Sequence, residues 1–188
     1  MDMNAARQPG HDICVRAEMA GDASARNALI DRAMGPKWKK KASHKLRRGR
    51  MPAEGLAFVA ADDVGAVVGT VRLWHVTMGE GGRAALLLGP LAVDPAVKSA
   101  GIGTALMRHA LEEARRLGHQ AVLLVGDAAY YGRFGFSAEK TGGLAMPGPY
   151  ERERFLALEL APGALDGASG TLAAAGRRKK PAPMARAA

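Results

Sequence analysis

Leu86-Leu-Leu-Gly-Pro-Leu-Ala-Val-Asp-Pro-Ala-Val-Lys-Ser-Ala-Gly-Ile-Gly-Thr104 is the stretch from which the rest of the chain can be read. An apolar run ends at Val93, Asp94-Pro95 turns the chain, and a loop of small residues enters a predicted helix from Gly101 to Leu117. In that helix Leu106, Met107, Ala110, Leu111, Ala114 and Leu117 share one face, while Arg108, Glu112 and Arg116 follow i, i+4 spacing on the other. Gly118 stops it. Such a loop offers successive backbone N–H groups to an anion, with the positive end of the helix behind them. Gly101 and Gly103 leave room for a phosphate, Lys98 adds a point charge and Thr104 a hydroxyl. A dinucleotide fingerprint would need a third glycine where Leu106 stands, and a nucleotide P-loop would need Gly-Lys-Ser/Thr where the chain has Gly-Thr-Ala. On these residues alone, a tight connection without a ligand explains the Gly-x-Gly equally well.

Outward from this segment the pattern alternates. Strands are predicted at Ile13 to Ala17, Leu56 to Ala61, Ala66 to Val76, Ala84 to Val93, Ala121 to Val125 and Arg154 to Leu160. Helices are predicted at Ala23 to Met34, opened by Asp22 and closed by Gly35-Pro36, near Ser43 to Arg48, and around Ala128 to Phe134. Asp62-Asp-Val-Gly65 and Gly79-Glu-Gly-Gly82 supply turns. Gly89-Pro90 inside the third consecutive strand implies a bulge or a splayed edge, because proline cannot donate to a sheet ladder. Three antiparallel strands before a strand–helix–strand unit make the fold class α+β, a mixed, mostly antiparallel central sheet flanked by helices.

The chain has 188 residues, enough for one domain with a substantial core. Its single cysteine, Cys14, excludes an intramolecular disulfide and a Cys-rich metal cluster; its place in an apolar run predicts burial. His44, His109 and His119 lack metal-ligand spacing, so no metal is expected. No apolar run reaches the ~20 residues that span a bilayer, and the amino terminus has no secretory h-region, which points to a cytoplasmic protein without a membrane partner. The net charge of +9 is concentrated: eight Lys or Arg residues lie between Gly35 and Arg50 and five between Arg177 and Ala188, so the remainder carries about −4. The expected organisation is a flexible N-terminus over 1–10, one folded domain over 11–160, and a disordered basic tail over 161–188.

Leu91-Ala-Val-Asp-Pro95 followed by Lys98-Ser-Ala-Gly-Ile-Gly103 resembles the acyl-CoA-binding motif of the GNAT superfamily of N-acetyltransferases, in which a Gln/Arg-x-x-Gly-x-Gly/Ala loop binds the cofactor's pyrophosphate. The resemblance extends over Ile13 to Leu160; Lys98-Ser99-Ala100 is less charged than the family's usual loop. It implies acetyl-CoA as cosubstrate, held by Lys98, Ser99, Ala100, Gly101, Ile102, Gly103 and Thr104, with the pantetheine arm along Leu91, Ala92 and Val93. Gly126-Asp-Ala-Ala-Tyr-Tyr-Gly-Arg-Phe-Gly-Phe136 resembles the family's second signature and implies Tyr131 as the acid that protonates the departing thiolate. A phenol of pKa about 10 is protonated at pH 7 and suits that task. Tyr130 reads as a packing residue, Asp127 as an N-cap, and Arg133 as a candidate for a cofactor phosphate. His75 is the candidate base for the amine, with Glu80 and Asp127 as rivals. The expected acceptor is a primary amine of a small molecule or a protein, and a homodimer is compatible with the sequence. Two other readings stand beside this one: an inactive acyl-CoA sensor, and a less favoured nucleic-acid binder. The second would use the 35–50 patch, where Trp38 is interleaved with basic residues that could equally attract an acidic substrate or the cofactor's 3′-phosphate.

Overall fold

The computed structural model describes residues 13–97 and 101–179. The expectations for Met1 to Gly10, for Lys98, Ser99 and Ala100, and for the tail over 180–188 lie outside the described residues. In chain order the elements are β1 (Cys14–Ala17), α1 (Ala23–Met34), α2 (Ala42–Arg47), β2 (Ala57–Ala61), β3 (Val67–Thr77), β4 (Ala84–Val93), α3 (Ile102–Arg116), β5 (Ala121–Val125), α4 (Ala128–Gly132), β6 (Leu144–Ala145), β7 (Phe155–Glu159), β8 (Gly170–Thr171) and β9 (Ala173–Ala174). The main sheet runs β1-β2-β3-β4-β5-β7, antiparallel at each step except the parallel β4–β5 pair. The fold is α+β, as the pattern predicts.

Side-chain alternation sends the two faces of the sheet into separate cores. On one face Val71, Leu73, Leu86, Leu88, Val122 and Leu124 meet the apolar stripe of α3: Leu106, Met107, Ala110, Leu111 and Ala114. On the other, Trp74, Val76, Leu87, Leu123 and Phe155 meet Ala42 and Leu46 of α2, with Leu144, Leu165 and Leu172. The bulge expected at Gly89-Pro90 is present. Val71 pairs with Leu91 but Leu73 with Leu88, so β4 carries one residue more than β3 across this step. That extra residue resets the alternation: Leu86 and Leu88 face α3 before it, Leu91 and Val93 after it.

Two expectations are corrected. Residues 161–179 are folded. Leu165 and Leu172 are buried, β9 pairs with β3 at Val76 and Thr77, and the chain runs on beside residues 49–51 through Met51 N–H to Arg177 O and Lys179 N–H to Gly49 O. Two leucines and backbone pairing to an unfilled stretch of sheet edge offset the ordering entropy that the Ala/Gly-rich composition alone could not. Cys14, expected to be buried, is exposed; it lies on β1, the edge strand, whose outer side no other strand covers among the described residues.

Candidate active site

The β4–β5 ladder holds only at Leu86 with Val122 and Leu87 with Leu123, although β4 continues to Val93 and β5 to Val125. Beyond those pairs the parallel strands part, and the bulge at Gly89-Pro90 stands where the parting begins. Trp74 Nε1 donates to Gly89 O at 2.6 Å and fixes the bulge from the α2 side.

At the open end of the cleft Gly101 has φ 74°, the left-handed conformation that glycine adopts without steric cost, and turns the chain into α3. Ala105 N–H is the first amide bonded within this turn, to Gly101 O, so the amides of Ile102, Gly103 and Thr104 have no partner inside the helix. They border a cavity of about 280 Å³ lined by Val93, Gly101, Ile102, Gly103, Thr104, Tyr130 and Arg133. A Cβ on Gly101 would meet nothing within 4 Å, so the space beside these amides is open. A Cβ on Gly103 would lie 2.7 Å from the Tyr130 hydroxyl. The Arg133 guanidinium stacks 4.1 Å from the centroid of the Tyr130 ring, and its Nε donates to Tyr130 O. Three amides, a phenol and a guanidinium therefore converge on one open cavity, a donor set suited to a diphosphate.

Leu91 and Val93 are half-buried on the α3 side after the bulge, whereas Ala92 is buried and pairs with Thr70. Asp127 is the N-cap of α4, accepting from Tyr130 N–H at 2.8 Å. The short helix splits the two tyrosines. Tyr130 goes to the anion cavity, a place the sequence reading did not give it. Tyr131 packs over Gly126, where a Cβ would collide with its ring, and edge-on against Phe136 at 6.1 Å. Gly126 follows β5 directly, so Tyr131 stands at the end of the parted strand. Burial pushes its phenol up to about 12, with Tyr130 adding to the effect and Arg154 opposing it. Its hydroxyl has no hydrogen-bond partner among the described residues.

His75 does not join this cluster. It pairs with Leu86, three residues before Gly89 of the bulge, or ~10 Å along the strand. Its ring lies 5.5 Å from that of His119, beyond the C-terminus of α3. Register thus sets this candidate base apart from Tyr130 and Arg133, opposite the stretch of β4 that still pairs with β5. Glu80 sits in the turn between β3 and β4. Among the described residues, no group of three His, Cys, Asp or Glu residues is placed to hold a metal, and no helix is long and apolar enough to cross a membrane.

Residues 53–138 match the family model described as an acetyltransferase (GNAT) domain. The protein named "Uncharacterized N-acetyltransferase YhbS" from Escherichia coli (strain K12) is 32% identical over 158 residues, covering 84% of this chain and 93% of that one. The crystal structure of YhbS from Escherichia coli in complex with CoA superimposes with a TM-score of 0.75 at 30% identity, covering 89% of this chain and 92% of that chain. A GNAT family acetyltransferase from Brucella melitensis, in complex with acetyl-CoA, gives a TM-score of 0.67 at 28% identity over 88% of this chain and 97% of that one.

Proposed function

The chain belongs to the GNAT family of N-acetyltransferases, and from that premise we propose that it transfers an acetyl group from acetyl-CoA to a primary amine. The observation that carries the proposal is the opening of α3 onto the cavity shared with Tyr130 and Arg133, beside strands that have parted. The amides of Ile102, Gly103 and Thr104 hold the pyrophosphate with Arg133, and β4 from Leu91 to Val93 offers its backbone to the pantetheine arm. Acetyl-CoA supplies the activated acyl group as a thioester. The amine nitrogen forms the new C–N bond, the C–S bond breaks, and the proton that the amine gives up returns through solvent to the phenolate left when the sulfur is protonated.

Tyr131 donates its hydroxyl proton to the departing sulfur. Its raised pKa keeps it protonated throughout the neutral range. We assign the transferase domain to residues 11–160, with 161–179 packed as part of it, in a reducing cytoplasm.

The test is release of coenzyme A thiol across pooled primary amines, with mass analysis of the acetylated product and wild type beside Tyr131→Phe. The variant is expected to bind acetyl-CoA as wild type does and to turn over at least about tenfold more slowly. Equal turnover would remove Tyr131 from the mechanism. Absence of any acetylated amine, with acetyl-CoA bound, would overturn the proposed activity.

A further inference from the structure

A second cavity, of about 200 Å³, lies on the α2 face of the sheet between α1, α2 and the bulged part of β4, with Pro90 in its wall. It is basic. Arg26, Arg47, Arg48, Arg72 and Lys179 line it, and a single carboxylate, Glu18, answers two of them, Arg26 and Arg72. Arg47 is the telling member. It is only 7% exposed, and among the described residues no carboxylate lies within ion-pair distance of it. Its guanidinium carries five N–H donors. Nε donates to Ser43 O and Nη2 to Ser43 Oγ, both at 3.1 Å, which leaves three N–H groups without a partner. Nη1 points to the bulge: a Cβ on Gly89 would lie 3.4 Å from it.

A buried cation without a counter-charge loses hydration that packing alone does not return. Burial pulls Arg47 down to about 10, so it remains charged at neutral pH. A second polar group of the same wall is also unmatched: His44 Nδ1 is buried with no hydrogen-bond partner among the described residues. Burial, followed by Arg47, Arg48 and Lys39, lowers the His44 pKa, so the ring adds no charge to this wall at neutral pH. The unmatched donors of Arg47, beside the point where β4 leaves β5, mark a place made to be completed by a ligand.

We infer, on the premise of the acetyl transfer proposed above, that this cavity receives the acceptor and that the acceptor is a primary amine bearing an anionic group, carboxylate or phosphate, which Arg47 holds by hydrogen-bonded charge pairing. The volume is below the ~300–1,000 Å³ of pockets for drug-sized ligands, so the acceptor, or the part that enters, is small. The wall at Pro90 directs its amine toward the cleft in which the thioester lies.

Both tryptophans of the chain, Trp38 and Trp74, line the cavity, so intrinsic fluorescence reads its occupancy independently of catalysis. The full chain is titrated with β-alanine against β-alaninamide, and with O-phosphoethanolamine against ethanolamine. The expected result is saturable fluorescence change with at least about tenfold tighter binding of the anionic member of one pair, the pair naming carboxylate or phosphate. That preference is expected to disappear in Arg47→Met and to survive in weakened form in Arg47→Lys. Since the comparison between ligands is made in wild type, it decides the matter even if Arg47→Met fails to fold. Equal binding of charged and neutral members, or no saturable change with either pair, overturns the inference. Acetylation of neutral amines with Arg47→Met as active as wild type overturns the inference and leaves acetyl transfer standing. Anion-selective binding with no acetylated product from any amine keeps the anion site and removes the transferase reading instead.

Discussion

Gly103→Ala separates stability from cofactor affinity, because the two should move in opposite directions. Gly103 lies in the first turn of α3 and is not among the glycines with positive φ, so alanine can take its backbone without strain. Gly to Ala in a helix interior stabilises by up to about 1 kcal/mol, and less in a first turn. The added Cβ would sit 2.7 Å from the Tyr130 hydroxyl and 3.8 Å from Cζ, where ordinary contact begins near 3.4 Å. The hydroxyl must therefore move by about 0.7 Å to restore van der Waals separation. The ring stacks on the exposed Arg133 guanidinium at 4.1 Å and meets Tyr131 at 4.9 Å, so its shift carries that guanidinium with it. The displaced phenol and guanidinium, together with the new methyl, should cost about one charge-assisted hydrogen bond to the diphosphate. That is about 1.5–3 kcal/mol, or roughly 10- to 150-fold in Kd. The assay is calorimetric titration with coenzyme A at fixed ionic strength, beside thermal unfolding of the free protein. Gly101→Ala is the contrasting control. Its Cβ enters open space but its φ of 74° is unfavourable, so that variant should lose about 1–2 kcal/mol of stability. A Gly103→Ala protein at least as stable as wild type, with unchanged Kd for coenzyme A, would refute the assignment of the diphosphate to the start of α3.

Leu172→Ala, at a side chain only 1% exposed, should cost about 2–5 kcal/mol in urea unfolding; a change within about 0.5 kcal/mol would mean that residues 161–179 add nothing to the fold. Asp22 is held down to about 2 from its ordinary 3.8, first by the Arg16 hydrogen bonds and then by Met19 N–H. A depressed carboxylate adds stability that is complete above the unfolded pKa and is lost as pH falls from about 4 through about 2. Asp22→Asn should therefore be less stable at pH 7 and show a shallower loss over that interval in acid titrations followed by circular dichroism; parallel curves would remove the ion pair from the acid response.

Most of the scaffold was legible because local pattern and tertiary burial agree. The α3 stripe from Leu106 to Ala114 is the stripe that meets the sheet, and the Gly89-Pro90 interruption is a real bulge for the reason proline imposes. Legibility failed where partners are distant in sequence. Ala173 and Ala174 look like tail residues until the free edge at Val76 and Thr77 is known. Cys14 sits in an apolar run, yet exposure depends on its strand being at the edge. Tyr130 and Tyr131 are adjacent and chemically identical. Only the direction of a five-residue helix after β5 sends one hydroxyl to Gly103 and the other ring over Gly126. His75 illustrates the same limit, since an intrinsic pKa is a property of a residue but reach is a property of register.

The basic charge makes the same point at larger scale. In the sequence the two cationic blocks, 35–50 and 177–188, stand more than a hundred residues apart and invite a nucleic-acid reading. The fold brings described parts of them together through the Arg50–Arg178 bridge and Lys179 N–H to Gly49 O, with Arg50 Nη1 donating to Gly176 O. Arg47, Arg48 and Lys179 of these blocks thus line one small cavity. A low-dielectric concavity walled by one sign of charge focuses its field inward, raising the local concentration of small anions more effectively than the same charges spread over a surface. Arg47 at the base of that field supplies the directional donors that a diffuse basic patch lacks.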